Sequence, residues 1–168
     1  MIILITGLTG TGKTTISEEI APLIDAVVLS SDKIRKEIIQ KPTYSKREKE
    51  LVYDVMSLLA KYLYRAGKNC ILDATFFKEK LRREILEKIG APKSEIKIVE
   101  CVCPEGVILE RLKNRKDIYS DADIAVYYKI KKMYEPIKED HLTVDTTLDP
   151  KHNALLILKK IKGYKASK

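Results

Sequence analysis

Five short strand-like runs, at 2–6, 26–29, 70–72, 96–102 and 142–144, are separated by longer stretches in which apolar residues recur every three to four positions. Runs of four to eight apolar residues bounded by glycine or polar residues read as buried strands, and the 3.6-residue recurrence reads as helix. The helical patterns cover about 14–24, 32–39, 46–66, 78–89, 105–115, 121–138 and 151–162. Strand and helix in alternation predict an α/β fold with a parallel sheet and helices on both faces. Asp149-Pro150 reads as an N-cap with proline at the first helical position, opening the last helix. Ser120-x-x-Asp123 reads as a capping box for helix 121–138. The polar stretch 114–121 between two helices predicts a mobile helix–loop–helix lid. In parallel sheets ligands gather at the carboxyl ends of the strands, so the residues that follow each apolar run hold the candidate chemistry.

The first run leads straight into Gly7-Leu8-Thr9-Gly10-Thr11-Gly12-Lys13-Thr14, which fills G-x-x-x-x-G-K-[ST] at every fixed position. A helix follows, so the motif sits between strand and helix as phosphate binding requires. Glycines 7, 10 and 12 allow backbone shapes that a Cβ forbids, and the loop amides can then form an anion nest reinforced by the helix N-terminus. Lys13 is expected to reach the β- and γ-phosphates of a nucleoside triphosphate and Thr14 to ligate Mg2+. Gly7, Thr9, Gly10, Thr11 and Gly12 form the rest of the cradle, with Thr15 placed against the α-phosphate. The competing reading is a glycine-rich turn with no ligand.

Three further groups follow strands. Asp32, after the second run, is a candidate base for an acceptor hydroxyl; Ser31 or Asp32 could instead cap the following helix. Arg35 lies one turn on, on the same helix face, where it could bind an anion on the acceptor. Asp73 ends the run Cys70-Ile71-Leu72, the pattern of a second Mg2+ acid acting through water or Thr14. In the expected lid, Arg111 and Arg115 are spaced to share a helix face and could clamp phosphate oxygens, although Glu110 or Asp117 could pair with them on a solvated surface. The tyrosines at 119, 127, 128 and 134 read as helix packing. His141 and His152 are assigned no role.

At 168 residues the chain reads as a single domain spanning 1–168 with room for one core. No apolar run is long enough to cross a bilayer, and the N-terminal run lacks a basic leader, so neither a membrane span nor a signal peptide is expected. Three cysteines read as core thiols in a reducing cytoplasm, and Cys101-Val102-Cys103 has no nearby His or Cys to complete a metal site. The formal charge of +8 makes a nucleic-acid partner possible; lysines scattered among glutamates and in the 159–168 tail read equally as solvated surface.

With these residues in place the chain resembles the small P-loop kinases grouped around polynucleotide 5′-hydroxyl kinase and the zeta-toxin-type sugar-nucleotide kinases. The resemblance rests on the phosphate loop at 7–14, Ser30-Ser31-Asp32-Lys33-Ile34-Arg35, Ile71-Leu72-Asp73-Ala74-Thr75 and Arg111-Leu112-Lys113-Asn114-Arg115. It implies a P-loop NTPase fold: three layers, α/β/α, with a five-stranded parallel sheet, the Asp73 strand beside the phosphate-loop strand, and a helical lid at about 111–125. It also implies Asp32 as general base, Arg35 on an acceptor phosphate, Arg115 on the donor phosphates, and adenine contacts near 111–115 and 146–148. The chain departs from the pattern over 36–66, which matches no acceptor signature. The expected activity is transfer of the γ-phosphate of MgATP to an acceptor hydroxyl, on a small metabolite or on a nucleotide or polynucleotide 5′-end, by a cytoplasmic monomer or weak homo-oligomer. The alternative is a nucleotide-dependent switch or ATPase that regulates a partner; no Asn-Lys-x-Asp guanine motif supports it.

Overall fold

The computed structural model describes residues 1–114 and 122–162. Strands β1 (Ile2–Thr6), β2 (Ala26–Ser30), β3 (Asn69–Asp73), β4 (Ile96–Val102) and β5 (Leu142–Asp145) form one parallel sheet in the order β2-β3-β1-β4-β5. Helices α1 (Lys13–Ile20), α2 (Ser31–Ile38), α3 (Lys46–Arg65), α4 (Glu79–Ile89), α5 (Glu105–Lys113), α6 (Ile124–Met133) and α7 (Pro150–Lys162) lie between and after the strands. The phosphate-loop strand β1 is thus central, with the Asp73 strand beside it, in the register Ile5 to Asp73.

All five residues of β1 are buried, as expected of a central strand in a sheet covered on both faces. Successive side chains point to opposite faces. Ile2 and Leu4 join Cys70, Leu72 and Ile98 under α3 and α4, which contribute Val52, Met56, Ala60, Ile85 and Ile89. Ile3 and Ile5 join Ile71, Val99, Cys101 and Val144 under α1 and α7, which contribute Ile16, Ile20, Ala154, Ile157 and Leu158. The result is the expected three-layer α/β/α architecture. A third, smaller cluster packs Ile108 and Leu112 of α5 and Tyr127 of α6 around Leu8 of the loop.

Several boundaries differ from the sequence expectation. The helix expected over 14–24 stops at Ile20 and tightens into a 3-10 turn over Ala21–Ile24, because Pro22 has no N–H to continue the ladder. The helix expected over 121–138 runs only from Ile124 to Met133. Asp123 caps it, accepting from the Val126 N–H at 2.8 Å, so the cap is Asp123 itself; Ser120 lies outside the described residues. Pro136 follows shortly after its end, where the residue before a proline disfavours helix. Asp149 caps α7 as expected, accepting from the His152 N–H at 2.8 Å. Among the described residues no helix is long and apolar enough to cross a membrane.

The three cysteines are free. Burial pushes the Cys70 and Cys101 thiols up to about 12, which leaves them inert core groups. Cys103 departs from the core reading: it is half-buried, with its Sγ 3.6 Å from Arg111 Nη1.

Candidate active site

Gly7, Gly10 and Gly12 of the loop between β1 and α1 all adopt positive φ, and the first and last of them set its two ends. Gly7 adopts φ +139°, and a Cβ there would stand 2.4 Å from the Cys101 carbonyl oxygen of β4. Gly12, at φ +81°, is the left-handed residue that precedes α1. Between them the Thr11 hydroxyl donates to the Leu8 carbonyl at 2.8 Å, and Lys13 Nζ reaches back over the loop to the same carbonyl at 2.9 Å. The loop is braced from behind by Thr146, whose hydroxyl donates to the Thr11 carbonyl at 2.7 Å. Arg111 holds Thr146 in turn, with Nη2 donating to its carbonyl at 2.7 Å.

In front of the loop lies a cavity of about 430 Å³ at the carboxyl ends of β1, β2 and β3. Thr9, Gly10, Gly12, Lys13, Thr14 and Thr15 line one side; Asp32 and Asp73 line the other, and Arg111 reaches the rim. Of the remaining expected loop residues, Thr11 is buried and Gly7 is packed against β4, so neither lines the cavity.

Thr14 and Asp73 meet directly: the Thr14 hydroxyl donates to Asp73 Oδ2 at 2.7 Å. Burial pushes the Asp73 carboxyl above its ordinary range, and the Lys13 charge and the Thr14 hydrogen bond pull it back. A cation arriving between hydroxyl and carboxylate would relieve that burial cost. Among the described residues no group of three or more His, Cys, Asp or Glu could hold a metal. One hydroxyl and nearby carboxylates suit a hard cation that keeps most of its oxygen ligands from phosphate and water, which is how Mg2+ is usually held.

Asp32 stands in the first turn of α2 but caps nothing: the N-cap is Ser30, with no side-chain cap bond. Its carboxylate instead faces the cavity, 40% exposed, and pairs with Arg35 Nη1 at 2.9 Å. Arg35 departs from its expected place. It is 6% exposed and absent from the cavity wall. Its Nε lies 3.1 Å from Glu48 Oε1, close enough for an ion pair though angled off a hydrogen bond, and its guanidinium covers the Tyr44 ring at 4.9 Å. Arg35 therefore holds the Asp32 carboxylate from behind, away from the cavity wall. Arg115 lies outside the described residues.

Sequence reasoning missed Glu48, Ser30, Thr75 and the bracing role of Thr146. Ser30 and Thr75 follow β2 and β3 and line the cavity, so the strand-end rule would have found them. Ser45-x-x-Glu48 carries a capping-box signature, and Ser45 Oγ does accept from the Glu48 N–H at 3.2 Å. The Glu48 carboxylate, however, accepts from the Thr43 N–H at 2.6 Å and the Tyr44 N–H at 3.0 Å, and it faces Arg35. Burial works to raise the Glu48 carboxyl, but these donors and Arg35 hold it below its ordinary value of 4.5. A depressed folded value means that Glu48 stabilises the fold above 4.5 and that this stability is lost as pH falls through the lower folded value. Glu48→Gln should therefore be less stable than wild type at neutral pH, with the gap closing as the solution is acidified. Urea melts across the acid range measure this, and a gap independent of pH would contradict it.

A family model described as AAA domain matches residues 2–137. Among solved structures, the chain is similar to a sugar kinase from Janibacter sp. at TM-score 0.75 and 16% identity, covering 99% of this chain and 98% of that one. It is similar to the APS kinase CysC of Mycobacterium tuberculosis, solved with AMPPNP and APS, at TM-score 0.73 and 16% identity, covering 97% of each chain. A gluconokinase from Sinorhizobium meliloti 1021 matches at TM-score 0.71 and 14% identity, over 96% of this chain and 93% of that one. At these identities the likeness is one of fold.

Proposed function

The chain belongs to the AAA domain family, and from that premise we propose that it is a P-loop kinase that moves the γ-phosphoryl group of MgATP to an acceptor hydroxyl. One observation carries the reading. Lys13, Thr14, Asp73 and the partly exposed Asp32 face a single cavity, which supports reading Asp32 as a base across from the phosphate loop.

In this reading the loop amides and Lys13 hold the β- and γ-phosphates, and Thr14 and Asp73 hold Mg2+ directly or through water. The metal, when bound, neutralises charge building on the phosphate oxygens. Asp32 accepts the acceptor's hydroxyl proton as the acceptor oxygen bonds to the γ-phosphorus. The bond from that phosphorus to its bridging oxygen breaks, and ADP departs with the electron pair. Arg35 keeps the Asp32 carboxylate aimed at the cavity. Arg111 sits close to the loop, its Nη1 3.4 Å from where a Gly12 Cβ would stand, so it is positioned to add charge stabilisation once nucleotide displaces part of its bonding to Thr146.

The acceptor we favour is a hydroxyl of a small molecule. The guanidinium that would grip the phosphate of a polynucleotide end is buried against Glu48, and the kinases of similar fold named above act on small molecules. The test is transfer of label from γ-labelled ATP. Separate reactions offer pooled nucleosides, sugars and cell metabolites, or DNA and RNA oligonucleotides with 5′-hydroxyl ends. We expect label on a small molecule, with acceptor affinity nearly indifferent to moderate salt. Label on oligonucleotide, with affinity falling steeply with salt through counterion release, would replace the small acceptor by a polynucleotide. Phosphate release with no labelled acceptor would overturn the kinase reading.

A further inference from the structure

Helix α3 is amphipathic in an unusual way. Its inner face, through Val52, Met56 and Ala60, fills the core beneath the sheet. Its outer face is also apolar. Leu51, Leu58, Leu59 and Tyr62 are 49%, 53%, 42% and 61% exposed, and Val55 is half-buried among them. Leu51, Val55, Leu58 and Tyr62 follow the alternating four- and three-residue spacing of a helix–helix seam. A contiguous exposed stripe of that kind marks an interaction surface, and nothing in the proposed phosphate chemistry uses it.

We propose that the stripe is the interface of a two-fold dimer in which α3 packs antiparallel against α3 of a second copy. Three features of the helix favour a second copy over an unrelated protein. The stripe is self-complementary on reversal: Leu51 and Tyr62 lie equally far from a midpoint between Met56 and Ser57, and so do Val55 and Leu58. An antiparallel copy therefore brings each apolar residue opposite another apolar residue, as an isologous two-fold contact requires. The charges along one edge also reverse correctly. Asp54 and Lys61 lie on the same side of the seam and on opposite sides of that midpoint, within two residues of mirror positions, so the long Lys61 side chain of each copy reaches toward Asp54 of the other. Asp54 is already paired with Lys88 of α4 at 2.5 Å, and the second copy's lysine completes a cluster around it. Finally, a groove of about 410 Å³ lined by Asp54, Val55, Ser57, Leu58, Lys61 and Lys88 runs along that edge. It offers the opposing side chains a recess, where a smooth surface would leave them exposed.

Sedimentation equilibrium of the full chain, from low micromolar to several hundred micromolar, tests the interface. Wild type should shift from monomer to dimer with concentration. Leu58→Glu, at a half-exposed position that leaves the core untouched, should weaken the dimer by about tenfold or more, since it desolvates a charge in the seam. Asp54→Lys and Lys61→Asp should each weaken it through like-charge contacts, and the double exchange should recover much of the loss. Leu155→Glu, at an exposed apolar position on α7 outside the stripe, should leave the equilibrium unchanged. Thermal melts of each variant establish that it is folded. A chain that stays monomeric throughout, including one whose stripe is covered by a different protein, would overturn the proposal. A dimer indifferent to Leu58→Glu would overturn it as well.

Discussion

Asp32→Asn is expected to lower turnover by about 10²–10⁴-fold while leaving ATP affinity close to wild type. The amide keeps the size and shape of the carboxylate, and its oxygen can still accept from Arg35 Nη1, which holds Asp32 at 2.9 Å. It cannot take up the acceptor's proton. In the proposed reading nucleotide binding rests on other groups: the loop amides, Lys13, and the Thr14–Asp73 pair joined at 2.7 Å. A loss of that size corresponds to about 3–5 kcal/mol of transition-state stabilisation. Single-turnover transfer separates this from slow product release, and nucleotide titration of the same variant supplies the affinity. Near wild-type transfer would remove Asp32 from the chemistry. A large loss of ATP affinity would mean that it belongs to the nucleotide site.

The largest expected loss of stability comes from Arg82→Ala. Arg82 is the bulkiest fully buried side chain in the protein's described residues. Its Nη1 donates to the Phe76 carbonyl at 2.8 Å and to the Glu135 carbonyl at 3.3 Å, and its Nη2 donates to the Pro136 carbonyl at 3.0 Å. It therefore ties the chain leaving α6 to the loop that follows β3, beside the cavity. The Glu135 N–H adds a bond to the Phe77 carbonyl at 2.8 Å along the same seam. Truncation leaves three carbonyls short of a donor and opens a cavity, for a cost of about 3 kcal/mol. For a domain of this size that is a fall in melting temperature of roughly 10 °C. Arg83→Ala, which removes an exposed neighbour facing Glu87 at 3.7 Å, should change stability by less than about 0.5 kcal/mol. Equal effects of the two substitutions would show that Arg82 is not the tie.

Much of the fold was legible because its signals are local. The strand-like runs at 2–6 and 96–102 match β1 and β4 residue for residue; β1, covered on both faces, is an almost unbroken apolar run, and in β4 the buried Ile98, Val99 and Cys101 carry the signal. The glycine loop was equally legible. The backbone shapes required at Gly7 and Gly12 exclude most other residues, so the requirement is written directly in the chain. Boundaries failed where one residue interrupted a sound pattern, as Pro22 ends α1 early and Asp123 starts α6 late.

The site was legible as a set of residues and illegible as an arrangement. Asp32 and Asp73 could be named because each follows a strand, and strand ends converge in a parallel sheet. Arg35 was misplaced because helical spacing relates it to Asp32 and says nothing about what lies across the fold from it. Glu48, thirteen residues further along, comes to face it only when α3 packs on α2. Arg82 gave no signal at all, because its partners are backbone carbonyls, two of them more than fifty residues away at Glu135 and Pro136. The sequence by itself determined the strands, the phosphate cradle and the pool of acids around it, since these depend on periodicity and on backbone conformations that few residues can adopt. Only the tertiary structure decided which basic side chains line the cavity and which is sealed behind it, and that the apolar outer face of α3 is left exposed. Those outcomes depend on contacts between segments far apart in the chain, and no local pattern encodes such contacts.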